Sequence, residues 1–209
     1  MTQLRNSLIL VGLTIVSFGP LVAQTKIIHV TEDQNVLEFV GQFNNTPTTS
    51  QQFGYVSRIQ GLDETFNGTP QNEATALFTF VTNATTDRVI ANGPLRIVNR
   101  TGTTTIYLNT PPSDFSNPAS FSQGTPIQVS TYRQQVVLNT LTNAFVTTHM
   151  NTVTETHVFW LNGTSYRLGR VSETFRTSYS GQSNTPGAAP SGWFGGNAIG
   201  ADNPQHCSQ

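Results

Sequence analysis

After residue 23 the chain carries no apolar stripe at the 3.6-residue spacing of a helix. Its apolar residues fall instead in short runs divided by glycine, proline and asparagine. Such a chain must pair its backbone N–H and C=O groups between strands, so the fold it can reach is all-β. The clearest pair of runs frames residues 53–82. Tyr55, Val56 and Ile59 surround Arg58 in the first, Ala74 to Val81 make up the second, and Gly61, Asn67-Gly68 and Pro70 supply the reversal between them. Upstream, Lys26 to Val30 and Val36 to Phe43 are separated by the polar turn 32–35. Downstream, Arg88 to Ala91 and Leu95 to Val98 are split by Asn92-Gly93-Pro94, and Thr103 to Leu108 follows a reversal at Thr101-Gly102. Three longer runs close the pattern: Ile127 to Leu138, Ala144 to Leu161 and Thr164 to Tyr179. The last two meet at Asn162-Gly163, the strongest hairpin signal in the sequence.

Composition decides how these strands are arranged. Charged residues make up only 10% of the 209 positions, against about 25% in an average globular chain. Threonine, asparagine, glutamine and serine take their place, as suits a solvent-facing sheet surface. An open sheet so poor in lysine would leave its edges without charged protection, and closure removes the edges. The expectation is therefore a single antiparallel β-barrel of about eight to ten strands, with a two-sheet sandwich as the alternative.

The domain plan has three parts. Residues 1–23 read as a signal peptide, with Arg5 followed by the apolar run Leu8 to Phe18 and a small residue, Ala23, at the cleavage point. An uncleaved anchor is the competing reading, although the run falls short of a membrane span, and no stable transmembrane segment is expected in the mature chain. Residues 24–179 form the barrel domain. Residues 180–209, rich in glycine and proline, form a mostly irregular tail, pinned by Trp193-Phe194 and Ala198-Ile199. The proline-rich stretch Asn109 to Pro126 is a candidate lid, its Phe115 and Phe121 folding back on the body. The expected location is secreted, whether extracellular or periplasmic.

Gly54, Arg58-Ile59-Gln60-Gly61, Phe78-Thr79-Phe80, Leu168-Gly169, Phe175-Arg176 and Gly181 together resemble the barrel of dirigent proteins and allene oxide cyclases. In dirigent proteins a Gly-Arg-x-Gln-Gly segment precedes an apolar, Phe-rich strand; here Ser57 stands in place of the first glycine. The resemblance spans about half of the mature chain. It implies a barrel fold and an isomerase or cyclase activity, and carries over no catalytic residue.

Candidate functional residues are charged or phenolic groups on otherwise apolar strand faces. Glu155 and His157 share a face with Val153, Phe159 and Leu161. If that face is the lumen, acid and imidazole stand about 7 Å apart in a cavity, and if Val158 and Trp160 face inward the pair is solvated. Arg58 and Arg133 are candidates to clamp a carboxylate or enolate, or to pair with glutamates on neighbouring strands, and Tyr55, Tyr132 and Tyr166 are candidate pocket walls, or ordinary half-buried barrel tyrosines. His29, His149, His157 and His206 are scattered without a ligand motif, and Cys207 stands alone, so no metal site and no cofactor are expected. A net charge of −1 without a basic cluster excludes a nucleic-acid partner. The expected function is the binding of a small apolar or amphipathic ligand in the barrel mouth, one arginine orienting it. An isomerase or cyclase and a surface or matrix scaffold are the alternatives, and oligomeric state stays open.

Overall fold

The computed structural model describes residues 24–28, 35–110 and 112–200. The expected signal peptide and the thiol of Cys207 lie outside the described residues. Strands β2 (Asn35–Asn45), β3 (Thr49–Ile59), β4 (Phe78–Asn92), β5 (Leu95–Leu108), β6 (Thr125–Asn139), β7 (Ala144–Thr156), β10 (Thr174–Ser183) and β11 (Gly192–Gly200) close into an eight-stranded antiparallel barrel. Strands β8 (Val158–Leu161), β9 (Thr164–Leu168) and β1 (Lys26–Ile28) form a separate three-stranded sheet, β1 running parallel to β9. The expected all-β barrel is the observed fold.

The turns sort the two ends of the barrel. Each barrel hairpin, β2–β3, β4–β5, β6–β7 and β10–β11, turns at the same end, which is the mouth. The longer connections run at the other end, and the β8–β9 hairpin is inserted there between β7 and β10. That hairpin turns on Asn162 and Gly163, whose φ angles of 48° and 76° are both positive as a type I′ turn requires. The small sheet closes this end. Phe159, Leu168 and Ile28 are buried with Val36, Ile59, Phe78, Ile127 and Val153, all drawn from the nearby strand ends, in one continuous core. The side chain of Gln128 and the hydroxyl of Thr156 both donate to the carbonyl of Leu168, each at 3.0 Å, tying the cap to the wall.

Several expected boundaries shift. Residues 192–200, assigned from composition to an irregular tail, are strand β11. It pairs with β10 on one side and β2 on the other and completes the barrel. Its glycines serve packing: a methyl group on Gly192 would lie 2.5 Å from the ring of Phe43, and one on Gly196 would strike Tyr179 and the Ser178 carbonyl. Gly102 is not a reversal either. It lies within β5 opposite Ala84, and the ring of Tyr132 passes over it. The stretch 109–126, expected as a lid, leaves the mouth uncovered. A 3-10 turn, Pro118–Ser122, places Phe115 and Phe121 outside the wall against Phe53, Tyr55, Val81 and Tyr107, and the Thr79 hydroxyl donates to the Phe121 carbonyl at 2.8 Å. Phe115 and Phe121 do fold back, forming a second small core whose ring centroids lie 4.9 Å apart.

Candidate functional site

Alternation along the barrel strands fills the lumen with one set of side chains. Phe145, Thr147, His149, Asn151 and Val153 point inward from β7, with Phe175, Thr177 and Tyr179 from β10, Gln52 from β3, and Tyr132 and Gln134 from β6. Aromatic rings from β2, β4 and β11 complete the wall, Phe39 contacting Phe80, Tyr179 and Phe194 edge-on. The lumen is therefore neither an open channel nor a wholly apolar core.

Tyr179 stands at its centre. Its hydroxyl donates to Oε1 of Gln52 at 3.0 Å and accepts from Nε2 of Gln134 at 2.8 Å. The third contact, Nε2 of His149 at 3.0 Å, then has to be a donated N–H, which fixes the imidazole as its Nε2–H tautomer. The His149 ring also stacks on Tyr132, with centroids 4.3 Å apart and planes inclined by 10°. Burial, with Arg100 adding to it, holds the His149 pKa down to about 3, so the ring is neutral at any ordinary pH. Burial likewise raises the phenols of Tyr132 and Tyr179 above their usual range.

This layer divides the lumen into two chambers. The inner one is lined by Phe39, Val56, Phe80 and Ile106 and by the polar groups of Thr82, Thr104, Asn151 and Thr177. Its volume is about 50 Å³. The outer chamber, about 60 Å³, opens among Phe43, Ser50, Val98, Arg100, Gln134 and Thr147. Gln52 and Tyr179 face both. Within the protein, Ser50 Oγ and Gln134 Oε1 are buried without a hydrogen-bond partner, and the Thr147 hydroxyl lies beside that of Tyr179, so the outer chamber presents polar atoms to whatever enters it.

Comparison with known protein families, with curated proteins and with solved structures finds no match. The reading of this site therefore rests on its geometry.

Of the residues singled out from the sequence, Tyr132 is in the lumen and Tyr166 stacks on Phe159 in the cap, while Tyr55, Arg58, Arg133, Glu155 and His157 lie elsewhere. Tyr55 is half-buried on the outer wall, edge-on to Phe66 and beside Phe115. Arg58 is exposed and pairs with Glu38 at 3.2 Å, on the neighbouring strand. Arg133 is exposed on β6 opposite Met150. Glu155 and His157 do meet, at 3.8 Å, but in solvent. Neither simple parity explains them: Val153 and Phe159 are buried, while Val158 and Trp160 are exposed. A bulge is the reason. Val129 pairs with Glu155 and Ser130 with Val153, so Thr154 is an extra residue that turns Glu155 outward, and β7 ends before His157.

The lumen groups that sequence reasoning passed over are His149, Tyr179, Gln52, Gln134 and Arg100. The alternation Phe145, Thr147, His149, Asn151, Val153 was the available signal, a polar centre on an apolar face. Arg100 sits next to the supposed turn at Thr101-Gly102, which concealed that β5 runs straight through it. Among the described residues no group of three His, Cys, Asp or Glu side chains gathers as a metal site would, and no helix is long and apolar enough to cross a membrane.

Proposed function

We propose that this is a binding protein that takes a small amphipathic molecule into the barrel through its open mouth. The carrying observation is the outer chamber: a recess at the unplugged end whose walls alternate Phe43, Val98 and Phe145 with buried polar atoms that have no partner in the protein. The size of the chambers limits the ligand, or the part of it that enters, to a few heavy atoms. The location that goes with this reading is outside the cytoplasm, as the expected signal peptide suggests from the sequence, where such a ligand would be met as a free solute.

The resemblance to dirigent proteins and allene oxide cyclases is compatible with the closed antiparallel barrel. An isomerase or cyclase reading asks in addition for a lumen group that moves a proton. His149 is held neutral, and the Tyr179 hydroxyl already makes three hydrogen bonds, so binding is the better-supported function.

The test is NMR of the side chains of His149 and Tyr179 during titration with a panel of small amphipathic molecules, repeated on Ser50→Leu, which fills the outer chamber. Shifts that saturate in the native protein and vanish in the variant are expected. Molecules that bind equally well to both, or a panel that leaves both rings unmoved, would overturn the proposal.

A further inference from the structure

Arg100 enters the outer chamber from β5, directly opposite Gln134 on β6. Its Nε donates to the Thr86 hydroxyl in a long 3.4 Å contact. The charged or ionisable groups that act on it are Tyr179, Tyr132 and Arg96, and no carboxylate of the described residues is among them. Burial lowers its pKa and Arg96 adds to that, yet a guanidinium remains a cation, so the barrel holds a half-buried positive charge without a counter-ion from its own described residues.

The distribution of charge along the barrel axis points the same way. Of the described cations, Arg88, Arg96, Arg100 and Arg133 lie on the mouth halves of β4, β5 and β6, while Lys26, Arg58, Arg167, Arg170 and Arg176 lie toward the plugged end. The described acidic residues lie toward the plugged end: Glu38 near the start of β2, Asp63, Glu64 and Glu73 in the β3–β4 connection, Asp114 in the β5–β6 connection, and Glu155 and Glu173 beside the cap. Asp87 is the exception, and it is turned outward to accept from the Thr101 hydroxyl at 3.1 Å. A recess of one sign between low-dielectric walls concentrates the opposite charge.

Around Arg100 stand Ser50, Gln134 and Thr147, with 3%, 4% and 1% of their surface exposed; Ser50 Oγ and Gln134 Oε1 have no partner in the protein, and the Thr147 hydroxyl lies beside that of Tyr179. The Ser50 hydroxyl can donate to an anion. Gln134 Oε1, an amide oxygen, can only accept, and the bond from its amide nitrogen to Tyr179 fixes which end of the amide is the oxygen, so it calls for a donor from the occupant. We infer that the outer chamber is a site for a small hydroxycarboxylate, its carboxylate on Arg100 and the Ser50 hydroxyl and its own hydroxyl on Gln134 Oε1. This rests on the lumen being the binding site and names the ligand class for it.

A guanidinium meets a carboxylate as a two-pronged donor, which a lysine cannot copy, and a buried charge without its partner costs stability. The experiment follows 2-hydroxybutyrate and its neutral isostere 2-hydroxybutyramide by calorimetry and by the His149 ring signals, on the native protein, Arg100→Met and Arg100→Lys. Expected are at least about tenfold tighter binding of the acid than of the amide, loss of that preference in Arg100→Met, and partial retention in Arg100→Lys. Ligand-free Arg100→Met should melt higher than the native protein, which a merely structural role for Arg100 would not produce. Acid and amide binding alike, with Arg100→Met without effect, would overturn the anion assignment and leave lumen binding standing. Neither compound binding would overturn the hydroxycarboxylate assignment, and the lumen reading falls with it only if the whole amphipathic panel also leaves the Tyr179 and His149 rings unmoved.

Discussion

Removing one oxygen atom from the lumen, by Tyr179→Phe, tests whether the polar layer is built as described. The hydroxyl makes three hydrogen bonds of 2.8, 3.0 and 3.0 Å to Gln134, Gln52 and His149, and each of these residues is only 4% exposed. Stripping a partner from a buried polar group costs about 1–3 kcal/mol, so three stripped groups would cost several times that in a dry interior. The adjoining chamber can admit water to some of them, which brings the expected loss to about 3 kcal/mol. With a urea slope of about 2 kcal/mol per molar, the unfolding midpoint should fall by about 1.5 M at unchanged slope. A loss below about 0.5 kcal/mol, the range of an ordinary surface change, would mean that the network does not form. A cycle with Gln134→Leu sharpens the result. The pair share one bond, so the double variant should lose less than the two single losses combined, and strict additivity would refute the shared bond.

Other expectations follow from the same geometry. Because the folded pKa of His149 is depressed to about 3 while the unfolded value is about 6.5, the unfolded state binds the proton first on acidification. Stability is therefore full above about pH 6.5 and falls by about 1.4 kcal/mol per pH unit below it, a slope that His149→Gln should flatten; an unchanged acid limb in that variant would count against the assignment. Phe121→Ala, which empties the fully buried centre of the outer aromatic core, should cost about 3–5 kcal/mol by denaturant titration yet leave lumen binding intact, and a loss of binding would show that the 109–126 stretch reaches the mouth after all. Gly41→Ala should be among the most damaging single changes, since its methyl would come within 2.6 Å of the Phe53 carbonyl oxygen and 2.7 Å of the Phe194 ring; a near-native melting temperature would contradict the close strand approach. Arg58→Ala and Glu38→Ala, which break only an exposed pair, should each change stability by about 0.5 kcal/mol or less, and a larger loss would show a role beyond that pair.

The fold class was readable because strand chemistry is local. Asn162-Gly163 turns as its residue types demand, and the shortage of charged edge residues pointed to closure, as observed. The site was harder to read because it depends on parity, and parity is set by events that leave little trace in the sequence. One extra residue at Thr154 moves Glu155 from the lumen face to solvent. A glycine within a strand, Gly102, looks the same in sequence as a glycine in a turn, and the difference lies in Tyr132, thirty residues away, which needs the space. Strand β11 illustrates the same difficulty: four glycines in nine residues suggest loss of structure, yet Gly192 and Gly196 are what allow the rings of Phe43 and Tyr179 to lie against it. His149 could have been found, as the polar centre of an alternating strand. Arg100 could not, without knowing that β5 continues through residues 101 and 102.

The seam between β2 and β11 has a consequence for the order in which the chain can assemble. Phe43 pairs with Gly192 and Leu37 with Ala198, so the first barrel strand finds its outer partner in the last one. A chain emerging from its amino end has β2 to β10 available as a curved, open sheet while both outer edges wait for residues 192–200. Contacts of such long sequence separation form slowly, and an unpaired edge is a template for a second chain. Loss of these few glycine-rich residues would therefore do more than open the lumen: it would turn a closed barrel into a sheet with two adhesive edges.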